Sequence, residues 1–409
     1  MMIETMLPLV AADDALPGLA GPARQDPVTI ARVEIFTYRY PLETPVVTSF
    51  GIMQDRPAVL VRVEDADGAF GWGEIWCNFP ACGAEHRARL LETEIAPRLL
   101  GHSFANPADA TTAIEADLRV LALQTGEWGP LAQCIAGLDI ALWDMAARRA
   151  CLPLADYLAG KPAVRRVAAY ASGINRDSAE DMVARMRAQG YCAFKVKVGR
   201  ETGRDIAVLR RLADTLGPGE RLMADANQAW TLSAALDFAA AGNDLPLYWL
   251  EEPLPADRPQ SEWRSLAVDC PFPLACGENL RGLAAFSHAA GSGSFSVLQP
   301  DICKWGGFTG CLPAARAILD AGLSYCPHFL GAGIGLVASA HLLAAAGGPG
   351  MLEIDVNDNP LRDMLASPLP TLGDDGQFPL HDGPGLHVTP DLAATRKWLV
   401  ATVSIAESV

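Results

Sequence analysis

The sequence predicts an α/β protein: a TIM-type (β/α) barrel with an N-terminal α+β capping domain. Three observations predict it. Between residues 160 and 355 a short apolar strand, a turn and an amphipathic helix alternate repeatedly. The polar residues that close those strands recur every 23 to 28 residues, the length of one strand-plus-helix unit with its loops. Ahead of them, residues 28–159 run as strands first and helices second, the pattern of a separate α+β unit.

Each element can be justified in chain order. Residues 1–27 read as a loose, Pro- and Gly-rich lead-in, and MMIETMLPLV carries an acid where a secretory leader would be basic. ARVEIF then alternates, AVLVRVE follows a Pro-marked turn, and AFGWGE follows the DADG turn. Ile135, Leu138, Leu142 and Met145 recur at steps of three and four, giving one apolar helix face. RVAAYA (166–171) is the first barrel strand, followed by AFKVKV, RLMAD, LYWLEEP, PLACGEN, SVLQPD, LSYCPH and MLEID. The intervening helices show their own signals. Ile206, Leu209, Leu212 and Leu216 line one face, and Thr231 and Gly242 are the start and stop of the next helix. Residues 356–409 are a final segment returning to the capping domain. A doubly wound sheet would also alternate strand and helix. It would not place a reactive side chain at the same end of seven successive strands.

Composition limits the function. The chain has 409 residues, half of them apolar, which allows a large core and excludes disorder as its main theme. Thirty-two Lys and Arg stand against 48 Asp and Glu, a formal charge of −16 that would repel phosphate backbones and anionic lipid. Nucleic acid and membrane are therefore not expected partners. Ten scattered cysteines without a CxxC pair argue against a structural zinc site or a disulfide framework, and imply a reduced, cytoplasmic protein. The apolar run from Phe329 to Gly350 is long enough to span a bilayer. It contains Ser339 and His341 and lacks flanking Lys or Arg, so a buried turn and helix is the expectation.

In a barrel the C-terminal strand ends converge on one mouth. The residues gathered there are Lys195, Lys197, Asp225, Glu251, Glu278, Asp301, His328 and Glu353. Asp225, Glu251 and Glu278 from adjacent strands would repel one another unless a cation neutralised them. An all-oxygen set without Cys or His favours a hard divalent ion, most simply Mg²⁺. A strand-end acid that merely caps the next helix explains one of these but not three in succession. Lys195 and Lys197 lie on one face of their strand. Like charge and desolvation would bring such a lysine toward its neutral form. An ion pair with a neighbouring carboxylate is the other reading, and for Lys195 the two are balanced. Lys197, taken as deeper and closer to the metal, is favoured as a general base. Asp301 and His328 form a candidate dyad, the carboxylate setting the imidazole tautomer. Glu353 is a candidate proton donor if neutral, or a helix-capping acid. Gly331, Gly333 and Gly335 resemble a dinucleotide loop, but Leu336 leaves G-x-G-x-x-G incomplete. These glycines are read as letting a tight loop pass His328. Trp76 and Phe79 either cover a pocket or belong to the cap's core.

Together these residues resemble the enolase superfamily, and within it the mandelate racemase subgroup, over residues of about 28 to 400. FKVKVG is similar to its K-x-K strand, DANQAW, LEEP and GEN to its three metal-ligand motifs, and QPDICKWGGFTG with CPHF to its Asp–His dyad. MLEID carries Glu353, AGLDIALWDMAARRACLPL is similar to the helix leading into the barrel, and DGPGLHV to the late return, with His387 where Gly is common. The resemblance implies a modified barrel and Mg²⁺ held by Asp225, Glu251 and Glu278. It also implies Asn227 and Lys195 as substrate contacts and Lys197 as base. The implied reaction removes the proton α to a carboxylate and stabilises the enediolate. A homo-oligomer is implied as well. Dehydration of a sugar acid to a 2-keto-3-deoxy acid is the first expected outcome, and racemisation or epimerisation of an α-substituted acid the second. SFGIM, WCNFP and FLGAGI make the pocket loops rather apolar, and Arg56, Asn78 and Asn227 offer fewer donors than a polyol diacid would want. A non-catalytic binding protein on this fold would be expected to have lost a ligand or base, and none is missing.

Overall fold

The computed structural model describes residues 27–47 and 51–406. The lead-in before Pro27, and Ser49 and Phe50 of SFGIM, lie outside the described residues. The cap is built on β1 (Val28–Val47), β2 (Ile52–Asp65) and β3 (Phe70–Ile75), joined as an antiparallel meander. A two-residue strand, β4 (Ser103–Phe104), pairs with the start of β1. Alternation along these strands puts Val33, Ile35, Val59, Val61 and Val63 into one buried cluster with the cap helices. The helix Trp128–Arg149 lies directly on β3, and its apolar residues are buried around most of its circumference. The approach is close because glycine meets glycine. A Cβ at Gly73 would sit 1.9 Å from the carbonyl oxygen of Gly137.

Eight parallel strands follow: β5 (Arg166–Asn175), β6 (Ala193–Lys197), β7 (Arg221–Asp225), β8 (Leu247–Glu251), β9 (Leu274–Cys276), β10 (Val297–Leu298), β11 (Ser324–Tyr325) and β12 (Leu352–Asp355). They pair in sequence from β5 to β11, with β12 on the free side of β5. No ladder joins β11 to β12 among the described residues. Side chains bridge that seam instead: Met351 N–H donates to Cys326 Sγ at 3.4 Å, and Phe329 N–H to Glu353 Oε2 at 3.0 Å. A short β13 (Gln377–Pro379) runs antiparallel to β5, and β14 (Leu399–Ala406) pairs with β1 in the cap sheet.

The barrel floor is one buried layer with a residue from each strand or its flank: Tyr170, Ala193, Met223, Trp249, Ala275, Val297, Cys326 and Met351. Strand side chains alternate, so the next layer up lies two residues on. β10 and β11 are shorter than the runs SVLQPD and LSYCPH suggested. Pro300 and Pro327 follow, and neither can donate to a ladder. Asp301 and His328 therefore stand on the turns just above the strands.

Two buried aspartates of the long cap helix tie the cap to the rest. Asp139 accepts from the N–H groups of Phe308 (2.6 Å) and Thr309 (3.1 Å), and Gly307, at φ 51, leaves room for it. Asp144 accepts from Trp72 N–H at 2.9 Å and Leu386 N–H at 2.7 Å, on the loop where His387 adopts φ 56. That left-handed backbone explains why glycine suits position 387. The helix Gly333–Ala346 is buried along nearly its whole length, and no described helix is long and apolar enough to cross a membrane. Gly73→Ala should lower stability by about 3 kcal/mol, the upper end of overpacking costs, seen as a lower midpoint in urea unfolding. An unchanged midpoint would show that the close approach can relax.

Candidate active site

Two residues above the floor, the strands present Ser172, Lys195, Asp225, Glu251, Gly277, Gln299, His328 and Glu353 in one layer. Five of the nine residues singled out in the sequence (Lys195, Asp225, Glu251, His328 and Glu353) sit in this layer, and Lys197, Asn227, Glu278 and Asp301 each contact a member of it. Lys195 hydrogen-bonds Glu251, reaches Glu353 Oε1 at 2.7 Å and Asp225 Oδ2 at 3.6 Å, and lies over the floor ring of Tyr170. Lys197 donates to Asp225 Oδ2 at 2.6 Å. The expected order of depth is reversed. Lys195 is the deeper lysine, its side chain 1% exposed against 32% for Lys197. The strand runs toward the mouth, so the later residue lies nearer solvent.

The expected direction of the lysine shifts is reversed too. Burial pulls Lys195 down, but Glu251 and Glu353 push it up further, and the net direction is well above the ordinary value. For Lys197, burial and Lys195 pull down while Asp225 pushes up and prevails. Glu353 is likewise held ionised instead of neutral. Burial raises it, but Lys195 and His328 lower it below the usual range. Asp225 is lowered because Lys197 and Lys195 outweigh its burial. Glu251 is pushed up to about 7, by burial first and then by Asp225 and Glu353, against Lys195. It also accepts from Trp249 Nε1 at 3.0 Å and Gln299 Nε2 at 2.7 Å.

Glu278 stands out of step with the period of two. Gly277, at φ 141, turns the chain so that the next side chain faces inward. Glu278 Oε2 lies 2.8 Å from His328 Nε2, and Glu278 Oε1 accepts from Lys304 Nζ at 3.1 Å. Burial raises Glu278, yet His328 and Lys304 hold it well below the usual range. His328 Nδ1 faces Asp301 Oδ2 at 2.7 Å, so the expected dyad contact is formed. Burial lowers His328, but Glu278, Glu353 and Asp301 raise it well above its ordinary value. Asn227 lies beside Asp225, its N–H donating to Oδ1 at 2.8 Å.

Several residues of the site were not legible in the motifs. Gln299 and Ser172 fill the layer between the charges. Lys304 joins Glu278 to Asn279 Oδ1 (3.0 Å), and its ammonium stands 4.8 Å from the centre of the Trp76 ring, so Trp76 covers the mouth from the cap. Glu74 of β3 accepts from the N–H groups of Ala332 and, at 2.8 Å, Gly335, beyond His328. The period of two from the floor is the signal that finds Gln299 and Ser172. No sequence spacing finds Lys304 or Glu74. The three glycines of that loop admit close packing: a Cβ at Gly331 would meet Glu74 at 2.5 Å, and one at Gly335 would meet the Phe329 ring at 2.3 Å.

Among the described residues no three His, Cys, Asp or Glu side chains converge as a preformed metal cluster. Lys195, Lys197 and His328 stand between the acids instead. The donor chemistry nonetheless fits a hard divalent cation, since Asp225, Glu251 and Glu278 are oxygen donors on neighbouring strands. Beside them Glu252 is buried with Oε2 lacking any hydrogen-bond partner, its pKa raised well above the usual range by burial and then by Glu278 and Asp225. The backbone here is strained as well: Asn227, Gln228 and Glu252 adopt φ of 44, 63 and 39.

Fold and mouth together define a capped (β/α) barrel with an acid–base site. The chain belongs to the enolase superfamily. Residues 30–159 match the mandelate racemase/muconate lactonizing enzyme N-terminal domain, and residues 177–394 the enolase C-terminal domain-like family. The D-galactarolactone cycloisomerase of Agrobacterium fabrum is 29% identical over 88% of this chain and 96% of its own length. A crystal structure of a mandelate racemase/muconate lactonizing enzyme from Bordetella bronchiseptica RB50 is 56% identical, with a TM-score of 0.85 over 91% of this chain and 99% of that one. L-talarate dehydratase from Polaromonas sp. JS666, complexed with Mg and L-glucarate, is 26% identical with a TM-score of 0.79, covering 93% of this chain and 100% of that one.

The raised His328 gives a pH test on chelator-treated protein. Its stabilisation is complete below its ordinary value of 6.5 and is lost as pH rises through the raised folded value. The stability gap between wild type and His328→Asn in urea should therefore be largest near pH 6. It should shrink on the alkaline side by at most roughly 1.4 kcal/mol per pH unit. A gap independent of pH would show that His328 is not held protonated.

Proposed function

We propose that the protein is a Mg²⁺-dependent sugar-acid dehydratase that begins by removing the proton α to a carboxylate. The observation that carries this reading is the placing of His328. Asp301 engages Nδ1, Nε2 turns toward Glu353, and these two carboxylates, neither of them assigned to the cation, favour the imidazolium. An acid is thus held on one side of the mouth, and Lys197 stands on another strand, with four strands between them.

Asp225, Glu251 and Glu278 would hold the cation, which when bound supplies positive charge beside the substrate carboxylate. An Asp225 shared with the cation would hold Lys197 protonated less firmly, and burial and the charge of Lys195 would favour its basic form. Lys197 takes the α-proton, and the released electron pair spreads onto the carboxylate, where Lys195 faces it. The bond from the β-carbon to its hydroxyl oxygen then breaks as that oxygen takes the His328 proton and leaves as water. The enol product becomes a 2-keto-3-deoxy acid. Lys195 contributes most where charge develops, which is in the transition state. Asn227, beside Asp225, is placed to contact the substrate.

The same base and acid on separate strands also suit a racemase or epimerase, in which His328 returns a proton to carbon. The partners under either reading are small carboxylic acids and further copies of this chain, in the cytoplasm. Nucleic acid and membrane are not among them.

Sugar acids incubated in D₂O should show both α-deuterium exchange and 2-keto product. Exchange without keto product across the panel would replace the dehydratase by the racemase. Lys197→Ala should lower turnover by at least about 100-fold, and full activity would show that another group is the base. Mg²⁺ at a hundredfold its Kd should stabilise wild type by about 2.7 kcal/mol in thermal melts, and Glu251→Gln much less. No shift in wild type would remove the metal from the mechanism.

A further inference from the structure

One pleat above the acid–base layer lies a pair of buried groups that the proposed chemistry does not use. Asp355 follows Glu353 by two residues on β12, so it faces the same side, about 6.7 Å nearer the mouth. From the cap, Arg56 of β2 reaches over it, with Nη2 2.9 Å from Asp355 Oδ2. Both residues are almost wholly buried, Arg56 at 4% and Asp355 at 5% exposure.

The two charges form a buried ion pair, but their geometry is not that of a hydrogen bond. The angles miss those of a hydrogen bond, and Arg56 Nε, Arg56 Nη2 and Asp355 Oδ2 are each left without a hydrogen-bond partner. Among the described residues, Arg56 Nη1 donates to the thioether sulfur of Met53 at 3.7 Å. Asp355 is nonetheless held firmly. Its Oδ1 accepts from Asn357 N–H at 3.1 Å and Nδ2 at 2.7 Å, and Asn357 Nδ2 also donates to the carbonyl of Gly173 at 2.9 Å. Gly173, at φ 76, makes the room, since a Cβ there would lie 2.4 Å from Asp355 Oδ1. One acceptor and two donors, all buried and without a hydrogen-bond partner among the described residues, are thereby held at a fixed place above the reacting layer.

Buried polar groups left in this state call for a partner. A hydroxyl both donates and accepts, so it can satisfy Asp355 and Arg56 together. A carboxylate only accepts. It would gain Arg56 but meet Asp355 at similar range, and the two charges would offset each other. Resting on the sugar-acid reading above, we propose that Arg56 and Asp355 form the subsite for an uncharged, hydroxyl-bearing distal end of the substrate. The substrate is then a monocarboxylic sugar acid, and dicarboxylic sugar acids are discriminated against. Arg56 and Asp355 act in specificity, and the reacting carbon is handled in the layer below.

Matched six-carbon pairs test this directly, because an aldonate and its aldarate differ only in whether carbon six is an alcohol or a carboxylate. Gluconate with glucarate, galactonate with galactarate, and mannonate with mannarate are each followed by α-deuterium exchange and 2-keto product. In the configuration turned over, wild type should favour the aldonate at least tenfold in kcat/KM. Asp355→Asn should move that ratio toward the aldarate by tenfold or more, and Arg56→Gln should raise KM for the aldonate about tenfold. A wild-type preference for the aldarate overturns the inference and leaves the proton-abstraction reading standing. So does a ratio unchanged in both variants alongside lowered melting temperatures, which would make the pair a strut between cap and barrel. Absence of exchange from every pair overturns the proton-abstraction reading and this inference with it.

Discussion

The site depends on one geometric constraint, the period of two along a parallel strand. Eight strands, or the residues flanking them, each place one residue in the floor, and seven of those eight are followed two positions later by a polar or charged group. Apolar floor and charged layer are consequently fixed to each other by the pleat. A strand that slipped by one residue would bury its charge in the wall and turn a floor residue into the helices. Trp249 and Tyr170 show how the two layers cooperate. The Trp249 indole N–H satisfies Glu251, and the Tyr170 ring lies under the ammonium of Lys195.

What the pleat brings together, electrostatics must make tolerable. Burying a single carboxylate or ammonium costs several kcal/mol, and only paired charges offset it. Here each buried charge has an opposite neighbour and several have more: Lys195 has Glu251, Glu353 and Asp225, and Glu278 has His328 and Lys304. This mutual satisfaction decides the pKa directions. Burial alone would make Lys195, Lys197 and His328 neutral, and the carboxylates at hydrogen-bond distance reverse that sign. A site poised in this way responds as a unit. Any cation that engages Asp225 or Glu278 changes the neighbours of Lys197 or His328 at the same time.

The fold was legible because strand ends repeated at one period and because helix faces and caps were ordinary. Thr231 does accept from Ala234 N–H at the start of its helix, as its position implied. Within the site, Lys195, Asp225, Glu251 and Glu353 were readable because each is a charge at the end of an apolar run. Gln299 and Ser172 were not. A neutral polar residue in a strand has no signature until its floor neighbour is known. The depth of Lys195 against Lys197 follows from strand direction, since the later residue of a barrel strand lies nearer the mouth. The lysine shifts were beyond the sequence, because they depend on distances of 2.6–3.6 Å that spacing cannot supply. Contacts such as Glu74 with Ala332 join residues 258 positions apart, and only the docked cap creates them.

That docking argues that the cap does more than cover the mouth. Glu74, Trp76 and Asn78 follow one another at the end of β3 with the same period of two, and each reaches a different part of the dyad's surroundings. Glu74 holds the loop after His328 through the N–H groups of Ala332 and Gly335. Trp76 donates its N–H to the carbonyl of Cys303, two residues beyond Asp301, at 3.3 Å. Asn78 donates to the carbonyl of Leu330, two residues beyond His328, at 2.7 Å. Asp301 and His328 come from turns that Pro300 and Pro327 have released from the sheet, so ladder hydrogen bonds do not orient them. The cap strand supplies those bonds instead. It therefore takes over the part that the sheet plays for Lys195 and Asp225, and the same domain that brings Arg56 to Asp355 also steadies the turns that carry Asp301 and His328.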